Sequence, residues 1–264
     1  MRAQAISAVL GVAAVALMLA VVRPAASPGT ALEAGRAAVP TVTATPATPA
    51  TPATPATPVA ARELRYGMRG GDVKALQWRL AALKYYPGAV NGKFDVYTLE
   101  AVWAFQEVQG LKVNGVVGPA TASALQHPRA YQPRYARGDP VRVEVNLRMC
   151  VLVVYRGRAV VLISHISAGG GYAYDRGVRA VTPTGRFRTT VYLRGWVRGA
   201  LGPMYNPVFF IRIAYAIHGE PTYGPNGGGV PLKAVSHGCV RIPYDIAQFL
   251  HTLLKTPGTP VYIY

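Results

Sequence analysis

A proline at every third position of residues 45–58 constrains the folding of this chain more than any other feature. The unit Thr-Pro-Ala recurs from Thr45 to Pro58. Each proline removes a backbone donor and fixes φ, so the segment can form neither a helix nor a central strand. The pattern predicts an extended, semi-rigid spacer of the polyproline type. The folded core must therefore come from the residues that follow.

The N-terminus carries an uncharged apolar run from Ala5 to Val22, preceded by Arg2. A signal-peptide core has about 7–15 apolar residues and a spanning helix about 20, so this run lies between the two. We expect residues 1–23 to be a signal peptide or a membrane anchor and residues 24–61 to be a linker. Both interpretations predict an exported protein that acts in the cell wall or outside the cell.

The charge balance points to a polyanionic neighbour. Lys and Arg number 28 against 11 Asp and Glu, which gives a formal net charge of +17. The hydrophobic share of 51% excludes a disordered basic tail, because it supplies enough apolar surface for a core. Neither a nuclear nor a nucleic-acid signature accompanies the charge. We therefore expect an anionic cell wall as partner, and no nucleic acid.

An internal repeat predicts a small helical module at residues 62–128. Asn91-Gly92 and Asn114-Gly115 are 23 residues apart, and Thr98 and Thr121 follow them at the same offset. Asn-Gly is typical of tight turns with positive φ, and threonine favours helix starts. Apolar residues at three- and four-residue steps predict a helix before the first turn, namely Val73, Leu76, Leu80 and Leu83. The expected order is helix, turn, helix, turn, short helix.

This segment resembles the three-helix type of peptidoglycan-binding module. The similarity rests on Leu64, Gly67, Gly70, Val73, Leu76, Gln77, Leu80, Asn91, Gly92, Thr98, Ala101, Val102, Phe105, Gln106, Gly110, Leu111, Asn114, Gly115, Gly118, Thr121 and Leu125. It implies that peptidoglycan stem peptides and glycan are the binding partners. Asp95 departs from the family, which usually has glycine there, but aspartate tolerates left-handed backbone better than most residues.

Residues 141–264 change to the pattern of β-strands. Apolar β-branched runs flank Arg156-Gly157-Arg158, which predicts a hairpin, and further strands are expected at 187–193, 208–217 and 259–264. A single late helix is expected after Pro243. The predicted architecture is a multidomain chain. Its all-α three-helix module is joined by a linker at 129–140 to a mainly-β, sandwich-type domain with a short helix after the cysteine loop.

The candidate chemistry lies in two short motifs, Ile217-His218-Gly219 and Ser236-His237-Gly238-Cys239-Val240-Arg241. A cysteine needs a base or a positive neighbour to act as a nucleophile, and both occur nearby. Backbone amides around Gly238 could bind an oxyanion. A zinc site of His218, His237 and Cys239 is a second interpretation, and buried structural side chains are a third. We expect Cys150 to lie within a strand as a packing residue, not as a second nucleophile, and do not expect it to form a disulfide with Cys239.

The segment is similar to the catalytic domain of L,D-transpeptidases (the YkuD type). That family has His-Gly, a spacer, and Ser/Thr-His-Gly-Cys-hydrophobic-Asn/Arg, all present here in order. Further similarities are the first hairpin at 143–155, Ser167 before glycines, the Thr182–Phe187 motif and Pro203-Met204-Tyr205. Ala168 replaces the family's threonine.

The resemblance implies a role for each site residue. Cys239 would be the nucleophile, and His218 its base, oriented by the Gly219 carbonyl. His237, Gly238 and the Cys239 amide would form the oxyanion region, with Ser236 supporting the loop. Arg241 would recognise a substrate carboxylate, and Tyr205 would contact the donor peptide.

The implied reaction is the attack of the Cys239 thiolate on the third-residue carbonyl of a tetrapeptide stem. D-Alanine is released, and the thioester passes to an amine of another stem, which gives a 3→3 crosslink. Neither a cofactor nor a metal is required. Transfer to water, as in an L,D-carboxypeptidase, remains open, and so does a non-catalytic wall-binding protein.

Overall fold

The computed structural model describes residues 62–135, 140–220, 229–254 and 257–264. The predicted signal or anchor segment and the Thr-Pro-Ala spacer lie outside these residues. So do residues 136–139 of the predicted 129–140 linker. Within the described ranges, no helix is long and apolar enough to cross a bilayer.

The N-terminal part is helical, as predicted. It contains α1 (Gly71–Ala82), α2 (Val96–Gln109) and α3 (Pro119–Gln126). Helix α1 begins one residue before Asp72, which lies in the first turn and pairs with Arg62 at 2.7 Å instead of capping the helix. Asp95 caps α2, since its side chain accepts a hydrogen bond from the Thr98 amide at 3.0 Å. Asp95 has an extended φ of −91°, so the departure from glycine is explained by capping and not by left-handed backbone.

The internal repeat is built around two buried glutamines. The Gln77 Oε1 accepts hydrogen bonds from the amides of Asn91 and Gly92 at 3.0 and 2.8 Å. In the second repeat, the Gln106 Oε1 accepts hydrogen bonds from the amides of Asn114 and Gly115 at 3.1 and 2.9 Å. Each glutamine thus fastens one Asn-Gly turn to the preceding helix, which gives the two repeats the same local structure.

In the described residues, the C-terminal part contains two main sheets and one α-helix, which confirms the predicted fold class. One sheet has five strands in the order β3-β2-β1-β11-β6, and the other has four in the order β10-β9-β8-β7. The strands are β1 (Val141–Asn146), β2 (Val151–Arg156), β3 (Ala159–His165), β4 (Ala173–Tyr174), β5 (Val178–Arg179), β6 (Gly185–Arg188), β7 (Trp196–Gly199), β8 (Gly202–Ile211), β9 (Tyr215–Gly219), β10 (Val240–Ile242) and β11 (Pro260–Ile263). Strands β4 and β5 form a separate two-stranded ribbon.

The five-stranded sheet is buried on both faces. On strand β2, Leu152 and Val154 belong to the core shared with the second sheet and with helix α4 (Tyr244–Leu254). Their neighbours Val151 and Val153 pack against the three helices. Strand β2 is therefore apolar at successive positions, as expected for a strand with no solvent face.

The helical module and the sheet also share backbone contacts. The amide of Ile163 on β3 donates to the Lys84 carbonyl after α1 at 2.8 Å. The rings of Tyr86 and Phe249, on the module and on α4, lie 5.0 Å apart. The two parts thus form one compact body in the described residues.

Three details of the strand prediction were wrong. The run expected at 187–193 is a strand only as far as Arg188, where β6 ends. The run at 208–217 is not one strand, because β8 ends at Ile211 and β9 begins at Tyr215. The turn between them uses Arg212 at φ +44° and contains neither glycine nor proline, which left the sequence without its usual turn signal. Cys150 lies in the tight turn before β2 at φ +50°, not within a strand, and both cysteines are free thiols.

Candidate active site

Parallel pairing of β9 and β10 brings the two sequence motifs together. In this ladder Val240 is opposite Ile217, and Arg241 is opposite His218. Cys239 immediately precedes β10, so it lies beside the strand that carries the histidine. Ile217 and Val240 point into the core shared by the sheets, and this burial fixes both strands.

His218 and Cys239 line the same open cavity, which has a volume of about 180 Å³. The β7–β8 hairpin forms one wall, and the turn between β8 and β9 another. The lining residues are Gly199, Ala200, Leu201, Gly202, Pro203, Met204, Ile213, Ala214, His218, Ser236, His237, Cys239 and Arg241. The cavity therefore brings together five of the predicted site residues.

The His218 ring is held in a defined orientation. Its Nδ1 lies 2.7 Å from the carbonyl oxygen of Gly219. Because a carbonyl oxygen only accepts, Nδ1 carries the proton, which leaves Nε2 as the basic nitrogen. The side chain is 4% exposed, and burial lowers the pKa of His218 to about 4, with a further contribution from the positive charge of Arg241. The imidazole is thus neutral at physiological pH and able to accept a proton.

Burial also raises the pKa of the Cys239 thiol above its ordinary value. The backbone of Ala216 and the charge of Arg241 act in the opposite direction and favour the thiolate. The resting pair is therefore a neutral thiol and a neutral imidazole.

Ser236 organises the loop that carries the cysteine. Its hydroxyl donates to the Cys239 carbonyl at 2.6 Å and accepts the Gly238 amide at 3.0 Å. The Gly238 amide, which sequence analysis assigned to the oxyanion region, is therefore used within the loop. The amides of His237 and Cys239 are left as the candidates for an oxyanion site.

Gly238 is at a position where a side chain cannot fit. Its φ is +137°, and an added Cβ would lie 2.6 Å from Cε1 of Tyr215 and 2.8 Å from the Val181 carbonyl oxygen. The Thr182 hydroxyl donates to the Gly238 carbonyl at 2.8 Å and accepts the Gly169 amide at the same distance. The Thr-Pro motif thus supports the cysteine loop, a role that the sequence analysis did not predict.

Arg241 is paired within the site. Its Nη1 lies 3.6 Å from Oε1 of Glu220, and both side chains are largely buried. Sequence analysis assigned Arg241 to the recognition of a substrate carboxylate and predicted no protein partner for it. In the structure it pairs with the carboxylate of the residue that follows β9 and also lines the cavity, and its recognition of a substrate carboxylate stays a prediction.

His237 and Tyr205 lie in aromatic clusters at the edge of the site. The His237 ring lies edge-on to Tyr174 and Tyr172, at 4.7 and 5.5 Å. Tyr205 stacks on Tyr244 at 4.1 Å and is not among the residues that line the cavity. Tyr205 is opposite Gly219 in the β8–β9 ladder, one residue from His218, and its contact with the donor peptide stays a prediction.

Several lining residues were missed by the sequence analysis. Ile213 and Ala214 reach the cavity because they form the turn between β8 and β9, where one continuous strand was expected. In the part of the chain that the structure describes, no three His, Cys, Asp or Glu side chains are grouped as metal ligands.

A cysteine and a neutral histidine that share a cavity are the parts of a cysteine-nucleophile enzyme. The family model for the L,D-transpeptidase catalytic domain (YkuD) matches residues 140–263, and the model for the putative peptidoglycan binding domain matches residues 69–125. The chain belongs to the L,D-transpeptidase family, since it covers 98% of a solved member to which it is 34% identical.

The L,D-transpeptidase of Xylanimonas cellulosilytica, solved for its residues 123–326, is 34% identical and has a TM-score of 0.69. The match covers 78% of this chain and 98% of that one. The chain spans less than a fifth of the length of two curated relatives that it matches. The N-acetylmuramoyl-L-alanine amidase CwlM of Mycobacterium tuberculosis is 41% identical over 56 residues, which are 21% of this chain and 14% of the relative. The amidase CwlL of Bacillus licheniformis is 42% identical over 67 residues, 24% of this chain and 18% of the relative.

Proposed function

We propose that this protein is an exported peptidoglycan L,D-transpeptidase that forms 3→3 crosslinks. The observation that carries the proposal is the shared cavity of Cys239 and His218, with the histidine oriented by the Gly219 carbonyl. The apolar segment at 5–22 and the net charge of +17 support export to an anionic wall.

The first half-reaction acylates Cys239. The proton of the thiol moves to Nε2 of His218, and the sulfur attacks the third-residue carbonyl of a tetrapeptide stem. The amides of His237 and Cys239 stabilise the negative oxygen of the tetrahedral intermediate. His218 then returns its proton to the nitrogen of the leaving D-alanine, and a thioester remains on Cys239.

The second half-reaction transfers the acyl group. An amine of another stem attacks the thioester while His218 takes up its proton, and the thiolate leaves and is reprotonated. The product is an amide bond between two third residues. Water in place of the amine would give a tripeptide stem, so the acceptor decides between transpeptidase and carboxypeptidase activity.

The helical module supports the same assignment, because wall binding keeps the cavity near its substrate. Its family model is that of a putative peptidoglycan binding domain.

The charge of Arg241 can attract a carboxylate of the stem peptide, and Glu220 limits the strength of that attraction by pairing with Arg241.

The test uses the purified protein with tetrapeptide-stem muropeptides and mass spectrometry of the products. We expect D-alanine release together with crosslinked dimers, and neither from the Cys239→Ala variant. D-Alanine release with tripeptide monomers alone would assign the protein carboxypeptidase activity in place of transpeptidase activity. Folded wild-type protein that gives no product, or a Cys239→Ser variant with unchanged activity, would refute the enzymatic proposal.

A further inference from the structure

The segment at 229–236 leads directly to Cys239, and neighbouring elements hold its backbone at several points. Near its C-terminal end the contacts come from the catalytic domain itself. The Ser167 hydroxyl donates to the Lys233 carbonyl at 2.7 Å and accepts the Val235 amide at 3.2 Å. The position of the cysteine loop therefore depends on how this segment is held.

The N-terminal end of the segment is held by the helical module instead. The carboxylate of Glu100, on α2, accepts a hydrogen bond from the Val230 amide. Gly229 lies so close to the helix that an added Cβ would be 2.4 Å from Cγ2 of Val96 and 2.6 Å from Oε1 of Glu100. The segment thus rests directly on α2, with Glu100 as its polar attachment.

His165 makes a second contact with the segment, and its ring packs against the helical module. The Nε2 of His165, at the end of β3, donates to the Pro231 carbonyl at 3.2 Å. The same ring lies edge-on to Trp103 of α2, with ring centroids 5.4 Å apart. Burial lowers the pKa of His165 to about 4, so the ring is neutral, and its packing against Trp103 sets the direction of the bond to Pro231.

We infer that Glu100 is a positioning residue for the reaction: the helical module, through Glu100, fixes the segment that places Cys239 and its neighbouring amides. The inference rests on the proposed function and extends it. The module then has a second task besides wall binding, because it completes the structure of the active site of its own chain.

The buried environment of Glu100 defines the matched variants. Its side chain is 1% exposed, and burial raises its pKa well above the ordinary value of a carboxyl group. A neutral acceptor is therefore sufficient at this position, and Glu100→Gln retains one. Glu100→Ala removes the acceptor. Glu107 lies on the same helix and is half-buried, so Glu107→Ala serves as the control.

The experiment compares the full-length variants in the muropeptide assay and in amide hydrogen exchange. For Glu100→Ala we expect kcat to fall about 10- to 100-fold with little change in KM, since a displacement of about 1 Å near the reacting atoms has effects of this size. The Val230 amide should exchange faster. Glu100→Gln and Glu107→Ala should stay within about twofold of wild type in both measurements.

The outcomes separate this inference from the proposed function. Normal kcat and normal Val230 exchange in folded Glu100→Ala would overturn the inference while the enzyme remains active. A wild-type protein without activity would overturn the proposed function, and Val230 exchange would still decide whether Glu100 holds the segment. If Glu100→Ala fails to fold, Glu100→Asp keeps the carboxylate but withdraws it from the Val230 amide by one methylene. It should also lower kcat, and wild-type kcat in that variant would contradict the inference.

Discussion

Ser236→Ala is the variant whose effect follows most directly from the geometry of the cysteine loop. The Ser236 hydroxyl makes two hydrogen bonds within the loop, at 2.6 Å to the Cys239 carbonyl and at 3.0 Å from the Gly238 amide. The side chain is 1% exposed, so both groups lose a partner in a buried place. An unsatisfied buried polar group costs about 1–3 kcal/mol, and two such groups predict a loss of about 2–6 kcal/mol in the free energy of unfolding.

The assay for Ser236→Ala is urea denaturation beside the muropeptide assay. The midpoint should fall at an unchanged m-value, and kcat should fall as well because the His237 and Cys239 amides lose their support. Ser236→Thr retains the hydroxyl and serves as the matched variant. Its stability should lie closer to wild type than that of the alanine variant. A Ser236→Ala protein within about 0.5 kcal/mol of wild type would refute the reasoning, since surface substitutions alone have effects of that size.

Two further predictions concern the same loop and its thiol. Gly238→Ala should abolish acylation of the cysteine, because the added Cβ would lie 2.6 Å from Cε1 of Tyr215 at a φ of +137°; acylation of the folded variant at the wild-type rate would contradict this. Burial raises the pKa of Cys239, so the thiolate fraction is small at neutral pH and grows as pH rises. The iodoacetamide rate of Cys239, measured as the difference between wild type and Cys239→Ala, should therefore still be rising at pH 9. Fast alkylation that is constant from about pH 5 to 7 would instead indicate a resting thiolate–imidazolium pair.

The sequence was most informative where a local pattern decides the structure. The Arg156-Gly157-Arg158 turn joins β2 and β3 as predicted, with Gly157 at φ +58°. Helix α4 begins directly after Pro243 and buries Ile246 and Leu250, as its apolar periodicity indicates. These elements depend on neighbours along the chain, and such neighbours are visible in the sequence.

Features that depend on distant contacts were not predictable in the same way. The apolar run of β2 indicated burial, but not that its second face would be covered by the helical module. The bond between Glu100 and Val230 joins residues 130 positions apart, and no local pattern marks it. Arg241 was recognised from its motif, whereas its pairing with Glu220 depends on the parallel register of β9 and β10.

The central claim is that Cys239 accepts the acyl group with His218 as its base. Intact-protein mass spectrometry after mixing with a tetrapeptide-stem donor tests it most directly. We predict an adduct on Cys239 equal to the donor minus D-alanine, absent in Cys239→Ala and formed far more slowly in His218→Gln. An adduct that persists in Cys239→Ala, or that forms at the wild-type rate in folded His218→Gln, would contradict the account.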